Sequence, residues 1–498
     1  MTQSLIMPRS GMFKTSFAFV GVALLCLAVA DISITTLNPW QEMGRMALGV
    51  VTPNFMALDR LGEALLQTVA FAFVGVALGG AFGFGLALVF HIPIVRGACA
   101  FVRAIHELFW ALIFLQAFGL TPLTGILAIA LPFGGIFAKV YSEILEEADS
   151  EPLRALPAGT KGVAAFFFAR LPDAWVHIKS YTLYRLECGL RSSAILGFVG
   201  LPTLGFYLES AFKQGQYSEV SALLILFYLL IGSLRLWVKP KLIPLYLLVA
   251  LAVLPTGAAI SMDNVLRFLT QDIVPYPLRS MDGIAALAGL GEWMWHLAAD
   301  QALWGIVATV ILTQIALVLS GLLGLAFFPL ISRKFFGPFG RATGHVFLII
   351  VRSTPEYILA YLFLQFWGPS MLPAIIALAL HNGAIIGHLI GRHANEVELR
   401  PDSPKGLNLY GYEVLPRVYP QFLAFLFYRW EVIMRETAIL GMLGIATLGF
   451  YVDSAIADIR LDRALFLIIV TAFLNIGIDT LSRAIRRKIR LTTTPDVG

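Results

Sequence analysis

The sequence predicts an all-α polytopic membrane protein of about twelve transmembrane helices. They form two parallel six-helix repeats related by a pseudo-two-fold axis along the membrane normal. Three observations carry this. The chain is 58% hydrophobic and only 13% charged, with a mean hydropathy of +0.81, whereas soluble domains carry about 25% charged residues. Apolar runs near the roughly 20 residues that a bilayer demands recur along its length. Finally, YRLECGLRSSAILGFVGLPTLGFYLESA at Tyr184–Ala211 returns at Tyr428–Ala455 as YRWEVIMRETAILGMLGIATLGFYVDSA, with 16 of 28 positions identical at an offset of 244. Agreement at that density marks an internal duplication.

In chain order the expected spans lie near 15–32, 63–90, 101–118, 122–142, 178–200, 220–236, 241–259, 302–330, 344–366, 371–391, 421–445 and 464–482. The first, followed by Ala28-Val29-Ala30, also mimics a secretory signal with a small-residue cleavage site. Its counterpart at 241–259 opens the second half and favours retention of both. Basic residues set the orientation. Arg235, Lys239 and Lys241 separate spans six and seven, and Arg333, Lys334 and Arg341 separate spans eight and nine. Arg483, Arg486, Arg487, Lys488 and Arg490 follow the last span. The stretch 261–301, read as an outer loop, holds Asp263, Asp272, Asp282, Glu292 and Asp300 against Arg267 and Arg279. The positive-inside rule therefore places both termini in the cytoplasm. The net charge of +5 follows from this basic face and is no nucleic-acid signal. Cys26, Cys99 and Cys188 are scattered, so neither a disulfide framework nor a metal site follows.

The duplication extends beyond its best-preserved stretch. Arg103–Gly119, RAIHELFWALIFLQAFG, pairs with Arg352–Gly368, RSTPEYILAYLFLQFWG, at an offset of 249. The first repeat is expected over 1–236, with a core near 62–236, and the second over 237–498, with a core near 302–485. The fall in offset lies between about 148 and 415, in the longest cytoplasmic loop of each half. In the first half this loop runs from about Ser142 to Lys179, in the second from about Arg392 to Gln421. Such a polar, partly helical stretch is either a solvated connector or a surface for a soluble partner.

Charges inside apolar segments are the next feature. Arg185, Glu187, Arg191, Arg429, Glu431 and Arg435 lie on spans five and eleven. Each costs about 2.5–3.5 kcal/mol at the bilayer centre on insertion scales. Glu187 and Arg191 are four residues apart and share a helix face, as do Glu431 and Arg435. They form either structural ion pairs or an electropositive lining for an anion. Arg185 and Arg429 either snorkel or pair with Glu107 and Glu356 of the third span in each half. Gly197, Gly200, Gly205 and Gly441, Gly444, Gly449 follow, permitting close helix approach and irregular backbone. Phe206-Tyr207 and Phe450-Tyr451 then mark an aromatic belt or an outer gate.

These residues resemble a known family. Glu147-Ala148-Asp149, Pro152, Ala155-Leu156, Ala158-Gly159 and, thirteen residues after that glycine, Leu171-Pro172 resemble the "EAA" cytoplasmic loop of ABC-importer permeases. RAIHELFWALIF and YRLECGLRSSAILGFVG resemble the phosphonate-type permeases, whose members are mostly single six-span chains that dimerise; this chain looks like two such units fused. There are departures. Arg154 stands where the family has a glutamate, and the second loop is shorter, with Gly406 only ten residues before Pro416 in Leu415-Pro416. Copy one has His106 and Pro132 where copy two has the family's Pro355 and His381.

The resemblance implies a transport subunit, not an enzyme, that translocates a phosphonate or a related small phosphorus oxyanion. It implies two cytoplasmic ABC ATPase subunits seated on the loops, an external solute-binding protein above an outer gate formed by Gly200, Gly205, Tyr207, Gly444, Gly449 and Tyr451, and a bacterial inner membrane. The chain contains no G-x-x-x-x-G-K-[ST] phosphate loop, so no cofactor is expected of its own and ATP would be bound by the partners. Leu171-Pro172 is expected to make a sharp corner between a docking helix and a pore-lining span. The rival reading is a secondary transporter in which Glu107 and Glu356 carry protons; an importer of a different small solute is another.

Overall fold

Backbone groups in an apolar medium must be satisfied within the segment that carries them, so long apolar runs become helices. A computed structural model of the chain describes residues 10–489 apart from 37, 57–59, 149–150, 155 and 158–159. Asp149, Ala155 and Gly159 of the expected docking loop lie outside the described residues. The chain is an all-α polytopic membrane protein. The first half carries α1 (Ser10–Val29), α2 (Pro39–Val51), α3 (Leu61–Leu88), α4 (Pro93–Ala104), α5 (Glu107–Phe118), α6 (Pro122–Glu147), α7 (Leu171–Ile195), α8 (Leu204–Lys213) and α9 (Tyr217–Trp237). The second half follows in the same order: α10 (Ile243–Val253), α11 (Gly283–Leu297), α12 (Leu303–Phe327), α13 (Pro338–Ser353), α14 (Glu356–Trp367), α15 (Met371–Glu396), α16 (Leu415–Gly441), α17 (Leu448–Ala457) and α18 (Leu461–Lys488).

The helices pack as two compact units that do not follow the halves of the sequence. One gathers the residues up to Met43 with those from Pro275 onward; the other is Gly44–Val274. The opening helix of each half has changed sides. In the first unit α1 lies on α12. Gln314 Nε2 donates to the Phe19 carbonyl at 3.2 Å, the Ser16 and Tyr419 hydroxyls meet at 2.7 Å, and Phe19 sits edge-on to Phe427 and Trp430. In the second unit α10 lies on α3, where Tyr246 packs edge-on against Phe73.

The tightest seam in each unit is made by small residues, which let helix backbones approach where no hydrophobic drive separates protein from lipid. A Cβ at Gly75 or Gly79 of α3 would press to within 3.0 Å of α6, at Ile129 and Ala130. In the other unit glycines serve on both partners: Gly383 and Gly387 of α15 face Leu323 and Phe327 of α12, at 2.7 and 2.8 Å for an added Cβ, and Gly324 of α12 faces Ile386 of α15 at 2.8 Å.

Several expectations are corrected. Segments 101–118 and 344–366 are not straight spans. Helices α4 and α5 meet at 92°, and α13 and α14 at 91°. The backbone is extended at Ile105-His106 and at Thr354-Pro355. His106 Nδ1 caps α5 by accepting from Leu108 N at 3.2 Å. Pro355 has no N–H with which to continue α13. The stretch 261–301, expected as a loop, is largely helical: α11 runs through a π-helical turn at Ala298–Ala302 into α12, making a 49-residue helical stretch, Gly283–Ile331. At 1.5 Å per residue that is about 70 Å, far more than a bilayer core. Its acids are too widely spaced to interrupt an apolar helix.

Leu171-Pro172 makes no sharp corner either. Gly162–Val199 is one helical run. A π turn at Phe166–Arg170 absorbs the proline, with Leu171 N–H reaching back to the Phe166 carbonyl. The same device recurs at Leu409–Val414, where Leu415 N–H bonds the Tyr410 carbonyl ahead of Pro416. Widening the turn keeps the ring off the carbonyl it would otherwise strike. Against twelve expected spans, seven helical stretches among the described residues are long and apolar enough to cross, or up to ten when each bent pair is one. Helix α10 has only 11 residues, and α16 is long but interrupted by charges.

Candidate functional site

Helices α14, α15 and α16 bring a buried polar cluster together. Arg429 donates through Nε to Asn382 Oδ1 at 2.6 Å and through Nη2 to Glu436 Oε1 at 3.3 Å. Asn382 Nδ2 closes the ring on Glu436 Oε2 at 3.0 Å. Asn382 is wholly buried, at 0% exposure, so its two donors and its acceptor are spent inside the protein. On the adjacent residue, His381 Nδ1 meets the Thr354 carbonyl at 2.9 Å. A carbonyl only accepts, so Nδ1 carries the proton and Nε2 turns toward Glu356 Oε2, 3.8 Å away. The bend at Thr354-Pro355 thus positions both the carbonyl and the carboxylate that hold this imidazole.

One ligand atom from each of Glu356, His381 and Glu436 lies within 4.8 Å of the other two, spacing that would admit a cation. Both Glu436 oxygens are already bonded to Arg429 and Asn382, so a cation would have to displace those donors. The arginine is neutralised by its own helix and does not stand as a bare cation.

The first half carries a reduced version. Arg185 stacks its guanidinium over Phe133 at 4.3 Å. Phe133 occupies the position of Asn382, and Pro132 that of His381. Glu107 accepts from Ser192 at 2.7 Å, and Ser192 stands where the second half has Glu436. His106 Nε2 lies 3.9 Å from Glu107, so an imidazole still accompanies this carboxylate, but from a different position.

The remaining charged residues are placed as follows. The expected Glu187–Arg191 pair is not formed: Arg191 turns to Cys188 Sγ at 3.5 Å, and Glu187 makes no ion pair among the described residues. Glu431 and Arg435 are both half-buried on α16. Sequence reasoning missed Asn382 and Glu436. An i,i+7 relation to Arg429, which also shares a helix face, would have pointed to Glu436.

The repeated glycines build a hairpin at the end of α7 and α16. Gly200 and Gly444 adopt left-handed backbone, with φ of 91° and 84°. A Cβ at Gly205 would overlap the Ala194 carbonyl, and one at Gly449 the Ala438 carbonyl. Each hairpin is pinned to the long helix beside it: Leu204 N–H donates to Thr68 Oγ1 at 2.8 Å, and Leu448 N–H to Thr309 Oγ1 at 3.0 Å. Tyr207 and Tyr451 follow, half-buried, each edge-on to the preceding phenylalanine.

The two loops expected to meet the ATPase differ. In the first half Arg170 Nε holds the Leu145 carbonyl at 2.6 Å, while Glu147 and Pro172 are exposed. In the second half Glu413 is 1% exposed and is gripped by Arg400 at 3.0 Å and Arg417 at 2.5 Å. Gly406 is exposed, with φ 63°. Leu415 and Pro416 begin α16, and Lys334 Nζ reaches the Val397 carbonyl. Burial pushes the Lys334 ammonium below the usual lysine range, with Arg417 adding to the shift and Glu413 opposing it.

Comparison with known proteins places this arrangement. The chain is 24% identical to the phosphate-import permease protein PhnE of Mycolicibacterium smegmatis over 479 residues, 88% of each chain. It is 29% identical to the phosphite transport system permease protein PtxC of Stutzerimonas stutzeri over 224 residues, 43% of this chain and 81% of that one. A putative cryptic phosphonate transport system permease protein of Escherichia coli is 28% identical over 109 residues, 22% of this chain and 89% of its own length. No family model and no solved structure matches. One relative aligns through both halves, and another matches over less than half of this chain. With its duplicated hairpins and charged helices, the chain is similar to permease proteins of phosphate, phosphite and phosphonate transport systems, in one case through both of its halves.

Proposed function

We propose that the chain is the transmembrane subunit of an ATP-driven importer that carries phosphonate, phosphite, phosphate or a related small phosphorus oxyanion into the cytoplasm. The observation that carries this is the alignment through both halves with a phosphate-import permease. ATP hydrolysis takes place in two separate cytoplasmic subunits, which seat on the loops ahead of Pro172 and Pro416. A solute-binding protein delivers the anion at the hairpins of Gly200 and Gly444. The membrane is the bacterial inner membrane, and both termini are cytoplasmic. The two ATPase seats are unequal, because Glu413 stiffens one loop and Ala169 stands at its position in the other. Purifying the chain with its neighbouring gene products and identifying the retained ligand by mass spectrometry tests the substrate class. A retained ligand without phosphorus would reject it.

A second reading has one observation in its favour. Glu356 and His381 are buried 3.8 Å apart, and the Thr354 carbonyl holds the imidazole by a hydrogen bond, an arrangement that suits proton exchange. In that reading the chain works without an ATPase.

A further inference from the structure

Helices α13 and α15 carry a second cluster, apart from the one around Arg429. Arg341, His345 and Arg352 recur along α13 at spacings of four and seven, which places them on one face. His388 and Arg392 stand one turn apart on α15, starting seven residues beyond His381. The two helices pack together. The His345 and His388 rings meet edge-on with centroids 5.7 Å apart, and Arg352 and Arg392 act electrostatically on His388.

No carboxylate of these two helices balances Arg341 and Arg392. The α13 sequence contains no aspartate or glutamate, and α15 contains only Glu396, which pairs with His393 at 3.7 Å. Arg341 Nε and His388 Nδ1 are buried atoms with no hydrogen-bond partner among the described residues. Arg341 and His345 are half-exposed and Arg392 is exposed, so the cluster opens outward.

The duplication supplies an internal control. At the same offset the first half has Arg96, Arg103 and Lys139 in the places of His345, Arg352 and His388. In the place of Arg392 it has Glu143, which pairs with Lys139 at 3.8 Å. The first half therefore neutralises its cluster from within, and the second half replaces the neutralising residue by another cation.

We propose that the α13–α15 cluster binds a phosphate group, presented by an anionic phospholipid headgroup or as the free ion. Arginine forks and imidazole N–H groups are the donors that tetrahedral phosphorus oxyanions take, and the unused Arg341 Nε and His388 Nδ1 fit that acceptor. The bend of 91° into α14 lays α13 across the direction of α14, as a helix at the lipid–water boundary would lie.

The test is thermal unfolding of the delipidated chain in neutral detergent with phosphatidylglycerol, phosphatidylcholine or inorganic phosphate added. The expected result is a rise in Tm of about 3–5 °C at saturation with phosphatidylglycerol or phosphate and none with phosphatidylcholine. A rise with phosphatidylglycerol alone assigns the site to lipid, and a rise with phosphate assigns it to the free ion. Arg392→Glu, which installs the residue of the first half, should abolish the rise. If that variant does not fold, Arg341→Gln should lower the apparent affinity about tenfold. No rise with either probe, or a rise undiminished in the folded variants, would overturn the proposal.

Discussion

Arg429 and Glu436, seven residues apart on α16, meet at 3.3 Å with the Asn382 amide bonded to both. The pair is largely buried, at 16% and 11% side-chain exposure. Removing one partner leaves the other charge uncompensated. Arg429→Gln should destabilise the protein by about 3–5 kcal/mol, whereas Arg429→Gln with Glu436→Gln should recover most of that loss. Thermal unfolding of the single and double variants checks this. Additive losses would show that the two side chains are not coupled.

The first half should tolerate the equivalent change better. Arg185 rests on an aromatic ring, an interaction worth about 0.5–2 kcal/mol. Arg185→Gln should therefore cost less than Arg429→Gln in the same assay. Equal or greater loss at Arg185 would remove the asymmetry argued from Phe133 and Ser192.

The hairpin glycines should separate into two classes. Gly444→Ala meets open space and strains only a left-handed backbone, a cost of about 1–2 kcal/mol. Gly449→Ala drives a methyl into the Ala438 carbonyl, so at least about 3 kcal/mol is expected. Folded yield by size-exclusion chromatography should fall much further for Gly449→Ala than for Gly444→Ala.

Glu413 should matter to coupling more than to folding. Glu413→Gln loosens the grip of Arg400 and Arg417 on the loop ahead of α16. Hydrogen exchange over 397–409 should accelerate by about tenfold for each 1.4 kcal/mol lost. ATPase stimulation by the permease should drop while yield is retained. Unchanged exchange would show that the carboxylate does not hold the loop.

The duplication was fully legible in the sequence, because identical residues at a fixed offset survive any change in packing. So were the helical class and the irregular backbone at the repeated glycines, though not its hairpin form. Which helix packs on which was not. α1 and α10 exchange sides through side-chain fit, such as Phe19 against Trp430, and a hydropathy pattern holds no information on partners. The right-angle bends at Ile105 and Thr354 lie where Arg103, His106 and Glu107, and Arg352, Ser353, Pro355 and Glu356, interrupt the apolar runs; those residues mark a break, but hydropathy does not give its angle. The i,i+4 spacing suggested Glu187–Arg191, which does not form, while the bond that forms between Arg429 and Glu436 spans two turns and needs Asn382 from another helix. Leu-Pro suggested a corner at Pro172, and the π turns that absorb Pro172 and Pro416 leave no mark in composition.

The most direct test of the proposed transport role is uptake of radiolabelled phosphonate or phosphite into proteoliposomes. Vesicles containing this chain alone should take up nothing under a proton gradient. Adding the ATPase subunits, the binding protein and ATP should start uptake, and withholding ATP should stop it. Uptake by the chain alone, driven by a proton gradient and lost in Glu356→Gln, would contradict the ATP-driven reading and establish a proton-coupled carrier instead.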